Sequence, residues 1–284
     1  MSKISILIAN YNNGHFFKEC FDSIAAQTFT DWEAVILDDA SKDNSLDLIR
    51  NITKGDSRFK IHANEANKGV GYTKRKLIEL SSSEICGFLD PDDALTSNAL
   101  EIVFKAHSEN PEVGLVYSNF IFCDDQLNKI RTHKGTQITG LDEKYLNFHA
   151  EISHFATFKK NIYNRTSGID IYLKMAEDKD WYMKMCEVAP VKYIDEDLYL
   201  YRVHGGGISN KSEDQAAYWH WVALIKMAER RNINIEDFFL ASYVRIEQYN
   251  KETIHNTNLK REIKNSRWVK LGNILGLCKF YKHL

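Results

Sequence analysis

Over the first 125 residues of the chain, short apolar runs alternate with longer amphipathic stretches. Ile4–Ala9, Trp32–Leu37, Phe59–Ala63, Ile85–Leu89 and Val113–Phe122 are brief, apolar and bounded by Asn, Asp, Gly or Pro, which predicts strands. Between them, Phe16–Ala26, Ser45–Ile52, Tyr72–Leu80 and Leu95–His107 place apolar residues three and four apart, as in Phe17, Cys20, Phe21 and Ile24, which predicts helices. Elements in the order βαβα imply an α/β fold with a mostly parallel central sheet flanked by helices on both faces. Such sheets collect ligands at the carboxyl ends of their strands. The first four strands all end in polar residues: Asn10-Tyr11-Asn12, Asp38-Asp39, Asn64 to Asn67, and Asp90 to Asp93.

From Asp124 to Gly140 the pattern is polar and irregular, as in a hairpin or loop. Helical spacing returns at Asp178–Glu187, followed by a strand pair at Val191–Ile194 and Leu198–Val203. After Gly205-Gly206-Gly207 the chain turns helical, with Tyr218, Trp221, Val222, Ile225 and Ala228 sharing one face. No internal repeat or low-complexity tract interrupts it.

Charge and composition narrow the choices. The 284 residues are 44% hydrophobic and 27% charged, a balance suited to a folded globular chain. A net charge of −2 argues against a nucleic-acid partner. The distribution is uneven: from Thr257 to Leu284 seven Lys or Arg face one acid, Glu262, so this tail carries +6 and the remainder −8. The five cysteines are scattered, with no C-x-x-C pair, and read as buried reduced thiols. The apolar run at Ile4–Ala9 is too short for a signal-peptide core, and no stretch reaches the ~20 apolar residues that span a bilayer. The expected location is cytoplasmic.

The candidate chemistry lies on the polar strand ends. Asp90-Pro91-Asp92-Asp93 offers hard oxygen ligands of the kind that hold magnesium or manganese beside substrate phosphates. The same residues also suit a turn that caps a helix, but their place on a rim with other acids favours a metal. Asp39 is suited to a base imide or a ribose hydroxyl, and Asp38 or Ser41 to capping the helix near Asp43. Tyr11 offers an aromatic face for a nucleobase. Lys68-Gly69-Val70-Gly71-Tyr72-Thr73-Lys74-Arg75-Lys76 opens a helix with four cations, a conflict with the helix dipole that a nearby diphosphate would offset.

Taken in order, Ile4-Ser5-Ile6-Leu7-Ile8-Ala9-Asn10-Tyr11-Asn12, Leu37-Asp38-Asp39-Ala40-Ser41-Lys42-Asp43, Asn67-Lys68-Gly69 and Phe88-Leu89-Asp90-Pro91-Asp92-Asp93 resemble the successive motifs of family-two glycosyltransferases with the GT-A fold. The likeness is strong to Phe122, patchy to Asn210 and weak beyond. It implies a catalytic domain over 1–210, with a nucleotide-sugar-binding part at 1–122 and an acceptor-side part at 123–210, then a C-terminal helical region at 211–284. It also implies a nucleotide-sugar donor, usually a uridine diphosphate sugar, a divalent manganese or magnesium ion, and inversion at the anomeric carbon. Carried over by position, Tyr11 stacks on the base and Asp39 reads the uracil. Lys74 stands near the phosphates, where the family often has arginine. Asp92 is the ribose or metal-bridging acid and Asp93 the direct metal ligand. Ala176-Glu177-Asp178-Lys179-Asp180-Trp181 is similar to the family's Glu-Asp pair at a helix start, making Asp178 the catalytic base. Tyr201-Arg202-Val203-His204 resembles a stretch whose histidine reaches the metal or diphosphate.

The implied acceptor is a hydroxyl of a glycan or glycolipid in polysaccharide assembly. Three other classes remain at this point: a nucleotidyltransferase, which the lack of a Gly-rich loop after the first strand disfavours, a phosphoacceptor signalling domain, and a catalytically silent nucleotide-sugar binder. In the tail, Trp268, Leu271, Ile274, Leu275 and Cys278 fall near one helical face ringed by Lys264, Arg267, Lys270, Lys279 and Lys282. This pattern suits either packing on the catalytic domain or peripheral contact with the inner face of the membrane.

Overall fold

Strand β1 (Ile4–Asn10) is buried on both faces, and the two sets of side chains it presents organise the molecule. Ile4, Ile6 and Ile8 pack with Phe17, Cys20 and Ile24 of α1 (Phe17–Ala25), Ile49 of α2 (Ser45–Ile52), and Leu100 and Val103 of α4 (Ala99–Glu109). On the other face Leu7 packs with Val35 and Leu37 of β2 (Trp32–Asp38), with Leu77 and Ile78 of α3 (Val70–Leu80), and with Trp181, Tyr182 and Met185 of α6 (Glu177–Cys186). The apolar spacing in the sequence thus becomes a sheet sandwiched between helices.

The computed structural model describes residues 2–139, 141, 151–205, 213–240 and 245–274. Among the described residues the sheet has nine strands. Strands β3 (Phe59–Ala63), β2, β1 and β4 (Ile85–Phe88) run parallel in that order, which brings their carboxyl ends to one edge. Beyond β4 the sheet is mixed. β8 (Thr157–Lys159), followed by the short helix α5 (Lys160–Tyr163), joins β4 antiparallel and then pairs β6 (Leu115–Cys123). β6 pairs β9 (Val191–Arg202) in parallel and forms a hairpin with β7 (Lys129–His133). Gly87 of β4 is required for the β8 pairing, because a Cβ there would stand 2.8 Å from Thr157 Cγ2 and 2.9 Å from Phe155 Cζ.

Three elements depart from the sequence reading. Leu95 does not begin a helix: β5 (Ala94–Leu95) pairs antiparallel with Tyr199 and Leu200, and α4 starts at Ala99. The expected strand pair near Val191 is the single strand β9, which passes its acidic middle through register shifts against Ser118, Asn119 and Phe120. In α7 (Glu213–Arg231) the buried residues are Trp221, Ala223, Leu224, Met227 and Ala228, while Tyr218 and Ile225 are exposed. Polar anchors set that rotation. His220 meets Lys179 at 2.9 Å, Lys226 meets Asp170 at 2.9 Å, and Arg230 meets Asp180 at 2.7 Å.

The chain forms two compact units, Met1–Arg230 and Arg231–Leu284. The boundary expected at 210/211 lies outside the described residues, as do Gly206, Gly207, Leu275, Cys278, Lys279 and Lys282. The second unit contains α8 (Glu236–Phe239), α9 (Arg245–Asn265) and α10 (Arg267–Ile274). Trp268 and Ile274 of α10 are 81% and 79% exposed. Among the described residues no helix is long and apolar enough to cross a membrane.

At the edge of the sheet opposite the strand carboxyl ends, Glu33 is buried within β2. It accepts bonds from Ser5 Oγ at 2.5 Å, Lys60 Nζ at 2.5 Å, Ser82 N at 2.6 Å and Ser82 Oγ at 2.9 Å. Burial alone would raise its pKa, but Lys60, Ser5 and Ser82 together lower it from 4.5 to about 2. A depressed carboxylate contributes stability that is complete above the unfolded pKa and is lost as pH falls through the folded one. Glu33 should therefore cost the fold on the order of 3 kcal/mol between pH 4.5 and 2. Thermal melts over that window check this: Glu33→Gln should flatten the acid limb, and an unchanged limb would refute it.

Candidate active site

At the carboxyl edge, the loops after β1 and β2 are joined side chain to backbone. Asp38, buried at the end of β2, accepts from Asn10 Nδ2 at 2.7 Å, from Ser41 N at 2.9 Å and from Ser41 Oγ at 2.6 Å. Ser41 Oγ in turn accepts from Asn12 N at 2.9 Å, and Asn12 Oδ1 accepts from Lys42 N at 2.7 Å. Asn12 and Ala40 take left-handed backbone angles, with φ of 56° and 59°. Asp38 and Ser41 thus shape the turn rather than cap the helix. The helix α2 begins later, at Ser45, whose N–H goes to Asp43 Oδ1 at 3.0 Å. Tyr11 sits on this braced turn and is 42% exposed.

Asp39 is buried and gathers the third strand end. Its Oδ1 accepts from Asn64 Nδ2 at 2.7 Å and Lys68 N at 2.9 Å, and its Oδ2 from Gly69 N at 2.8 Å. An ionised carboxylate has about four acceptor positions, so one remains. Gly69, at φ 88°, occupies a conformation that side chains resist, and this turns its N–H toward Asp39 at the start of α3.

The acids after β4 divide by environment. Asp93 is 2% exposed; its Oδ2 accepts from Tyr199 Oη at 2.7 Å and its Oδ1 from Arg202 N at 2.8 Å. Burial, then the charges of Asp92 and Asp90, push its pKa well up. Arg202 also donates from Nε to Asp92 O at 2.7 Å and from Nη1 to Asp125 O, clamping the loop onto the end of β9. Asp90 and Asp92 are half-buried, and Asp92 Oδ2 lies 2.9 Å from His204 Nε2. Phe16 backs this pair, 4.6 Å from the His204 ring and 4.8 Å from the Arg202 guanidinium.

Helix α6 brings the remaining acids. Ala176 precedes it at φ 58° and sets Glu177 and Asp178 at its first turn. Glu177 Oε1 bonds buried Lys74 Nζ at 2.7 Å. Burial opposes the lysine's charge, yet Glu177, Asp90 and Asp178 outweigh it and raise the pKa. Lys74 is thereby paired with a protein carboxylate at the position where the resemblance sets a cation near the phosphates. Asp180 is also committed, to Arg230 Nη1 at 2.7 Å and Lys184 Nζ at 2.6 Å. Asp178 is half-buried, and its Oδ1 accepts the adjacent Lys179 N–H at 2.7 Å. Behind it, burial lowers Lys179 to about 8 and the paired His220 to about 4.

The structure brings Asp92 and His204 into contact, although 112 residues separate them. Asp90 and Asp178 lie close enough for both to act on Lys74. The expected metal ligand Asp93 has both oxygens engaged by protein donors. Among the described residues no three His, Cys, Asp or Glu side chains converge on one point as a full metal cage. Asp92 with His204 gives one hard oxygen and one imidazole nitrogen, a donor set that fits an ion completing its shell from diphosphate oxygens and water. The sequence reading missed the Lys74–Glu177 pair and the clamp by Tyr199 and Arg202. The one signal for the clamp was that Arg202 stood inside the motif that carried His204.

The carboxyl edge of the sheet thus brings together an exposed tyrosine, several acids and a buried lysine, beside a helix opened by two acids. The solved structures agree on the fold: S. aureus TarS residues 1–349 in complex with UDP-GlcNAc superposes with a TM-score of 0.64 at 17% identity, over 80% of this chain and 66% of that one. The architecture is GT-A-like. The family model described as Glycosyl transferase family 2 matches residues 5–166, more than half of the chain, and the protein belongs to that family. Among curated relatives, Escherichia coli chondroitin synthase is 29% identical over 211 residues, covering 74% of this chain and 30% of the relative. The Campylobacter jejuni GalNAc(5)-diNAcBac-PP-undecaprenol beta-1,3-glucosyltransferase is 30% identical over 168 residues, covering 57% of this chain and 53% of the relative. The chain spans less than a third of the length of the chondroitin and hyaluronan synthases it matches.

Proposed function

We propose that the chain transfers a sugar from a uridine diphosphate donor to a hydroxyl of a glycan or lipid-linked acceptor, with inversion at the anomeric carbon, in polysaccharide or glycolipid assembly. The observation that carries this reading is the gathering of Asp39, the Asp92–His204 pair and the Asp178 helix start at one edge of the sheet. The Campylobacter relative's lipid diphosphate acceptor and the UDP-GlcNAc of the TarS complex support the acceptor and donor classes.

Tyr11 stacks on the base and the remaining acceptor position of Asp39 takes the imide N–H. Asp92 and His204 would hold a manganese or magnesium ion, which when bound neutralises the charge that grows on the departing diphosphate. Asp93 is a positioning residue here: held by Tyr199 and Arg202, it fixes the backbone from which Asp92 projects. Lys74 faces the diphosphate and, through Glu177, sets the first turn of α6. Asp178 takes the proton of the acceptor hydroxyl as its oxygen attacks the face opposite the leaving group, and one such displacement inverts the centre. Thermal melts with a panel of nucleotide sugars and manganese test the reading. A uridine diphosphate sugar should raise the melting temperature, since a ligand that binds only the folded form stabilises it. A protein that no nucleotide sugar stabilises would contradict it.

The enzyme would work on the inner face of the membrane, attached through its C-terminal unit. Trp268, Leu271 and Ile274 are exposed on α10, and Lys264, Arg267 and Lys270 beside them are exposed cations. An anionic bilayer matches both, with each cation near its surface contributing ~1 kcal/mol. Co-sedimentation of the full chain with phosphatidylserine vesicles should therefore be salt-sensitive and fall several-fold in a Trp268→Ser, Leu271→Ser variant. Equal sedimentation of the variant would refute attachment.

A further inference from the structure

His154 was not singled out by its sequence neighbourhood, yet the fold sets it among the reacting groups. It directly precedes Phe155, which packs in the core, and is itself half-buried ahead of β8. Its ring stacks on Tyr199 at 4.7 Å and 19°, and lies nearly parallel to Tyr201 at 5.9 Å and 22°. Phe120 closes another side edge-on at 6.0 Å. Tyr199 is the same residue that donates to Asp93 and accepts the N–H of Asp90 at 3.2 Å. The imidazole is therefore seated on the support of the acidic loop, in an orientation fixed by three aromatic rings.

Four charged groups of the site act on it: Asp90, Asp178, Lys74 and Asp92. They come from the end of β4, the start of α6 and the middle of α3, so His154 is within electrostatic reach of all three elements. Burial, the largest effect, lowers its pKa, and the carboxylates only partly oppose this. The ring is neutral near pH 7 and keeps one N–H donor and one bare nitrogen acceptor. No other described residue hydrogen-bonds either nitrogen. Beside it, Ser153 is 7% exposed and its hydroxyl has no hydrogen-bond partner among the described residues.

Resting on the proposed function, we infer that His154 binds a hydroxyl of the donor sugar, holding the ring of the sugar between the Asp92–His204 pair and Asp178. A sugar hydroxyl both donates and accepts, as the neutral imidazole does, and a fixed imidazole constrains which hydroxyl can meet it. A neutral group also adds no positive charge next to a sugar ring that becomes cationic as its bond to the diphosphate breaks. The residue is thus a determinant of which sugar is transferred.

The test is titration calorimetry of the full chain, with manganese, using UDP and whichever of UDP-glucose, UDP-GlcNAc and UDP-glucuronic acid the wild type binds most tightly. His154→Ala should weaken the nucleotide sugar by roughly tenfold and leave UDP within about twofold. His154→Asn, which keeps a donor and an acceptor, should recover part of the loss. Equal affinity of wild type and both variants for the nucleotide sugar overturns the inference. So does a parallel loss of UDP affinity, which would make His154 only a prop for Tyr199. A wild type that binds UDP but gains nothing from any sugar also overturns it, and one that binds neither overturns the proposed function beneath it.

Discussion

Asp178→Asn is expected to leave donor affinity near wild type and slow transfer by about 10²–10⁴-fold. The asparagine preserves the acceptor oxygen that meets the Lys179 N–H at 2.7 Å and removes only the capacity to take a proton. Its neighbours offer little rescue. Glu177 is tied to Lys74 at 2.7 Å, and Asp180 to Arg230 and Lys184 at 2.7 and 2.6 Å. Calorimetry for donor binding and steady-state transfer rates separate the two effects. Transfer within a few-fold of wild type would place the base elsewhere, and a matching loss of donor affinity would make Asp178 a binding group.

The second large effect separates two adjacent acids. Asp92→Ala should fold and melt like wild type while losing manganese-dependent UDP binding by at least about 10–100-fold, because it removes one of the two ligands offered to the ion. Asp93→Ala strips the acceptor from two buried donors, Tyr199 Oη and Arg202 N, at about 1–3 kcal/mol each. Its first symptom should therefore be a lower melting temperature. Manganese binding in the presence of UDP, followed by electron paramagnetic resonance, and thermal melts provide both readouts. If Asp93→Ala melts normally and Asp92→Ala retains manganese, the assignments exchange.

The parallel half of the sheet was legible because β1 and β2 are buried on both faces, β3 is a short run opened by buried Phe59, and the helices are buried on one face. Each element therefore carries its own periodicity, as at Phe59–Ala63 and Ser45–Ile52, whose observed bounds are those expected. Reading failed where a partner distant in sequence decides the structure. Leu95 looks like the start of a helix until Tyr199 pairs with it, as Leu200 does with Ala94. Asp195 to Asp197 look like a turn, but Asn119 and Lys129 engage those acids while the strand continues past them. At the site, Tyr11, Asp39 and the cluster at Asp90 stand out because polar residues ending apolar strands are visible locally. The different surroundings of Asp92 and Asp93 depend on His204, Tyr199 and Arg202, more than 100 residues away. The same holds for Lys74, whose buried charge has a partner 103 positions along the chain.

The most direct test of the central claim is release of UDP by the purified wild-type protein from a panel of UDP-sugars, with manganese and with excess chelator. Release from at least one donor is expected, lost with chelator and in Asp178→Asn. A protein that binds a nucleotide sugar yet releases no UDP under any of these conditions, with or without glycan acceptors, would contradict the enzymatic reading and leave only a binding protein.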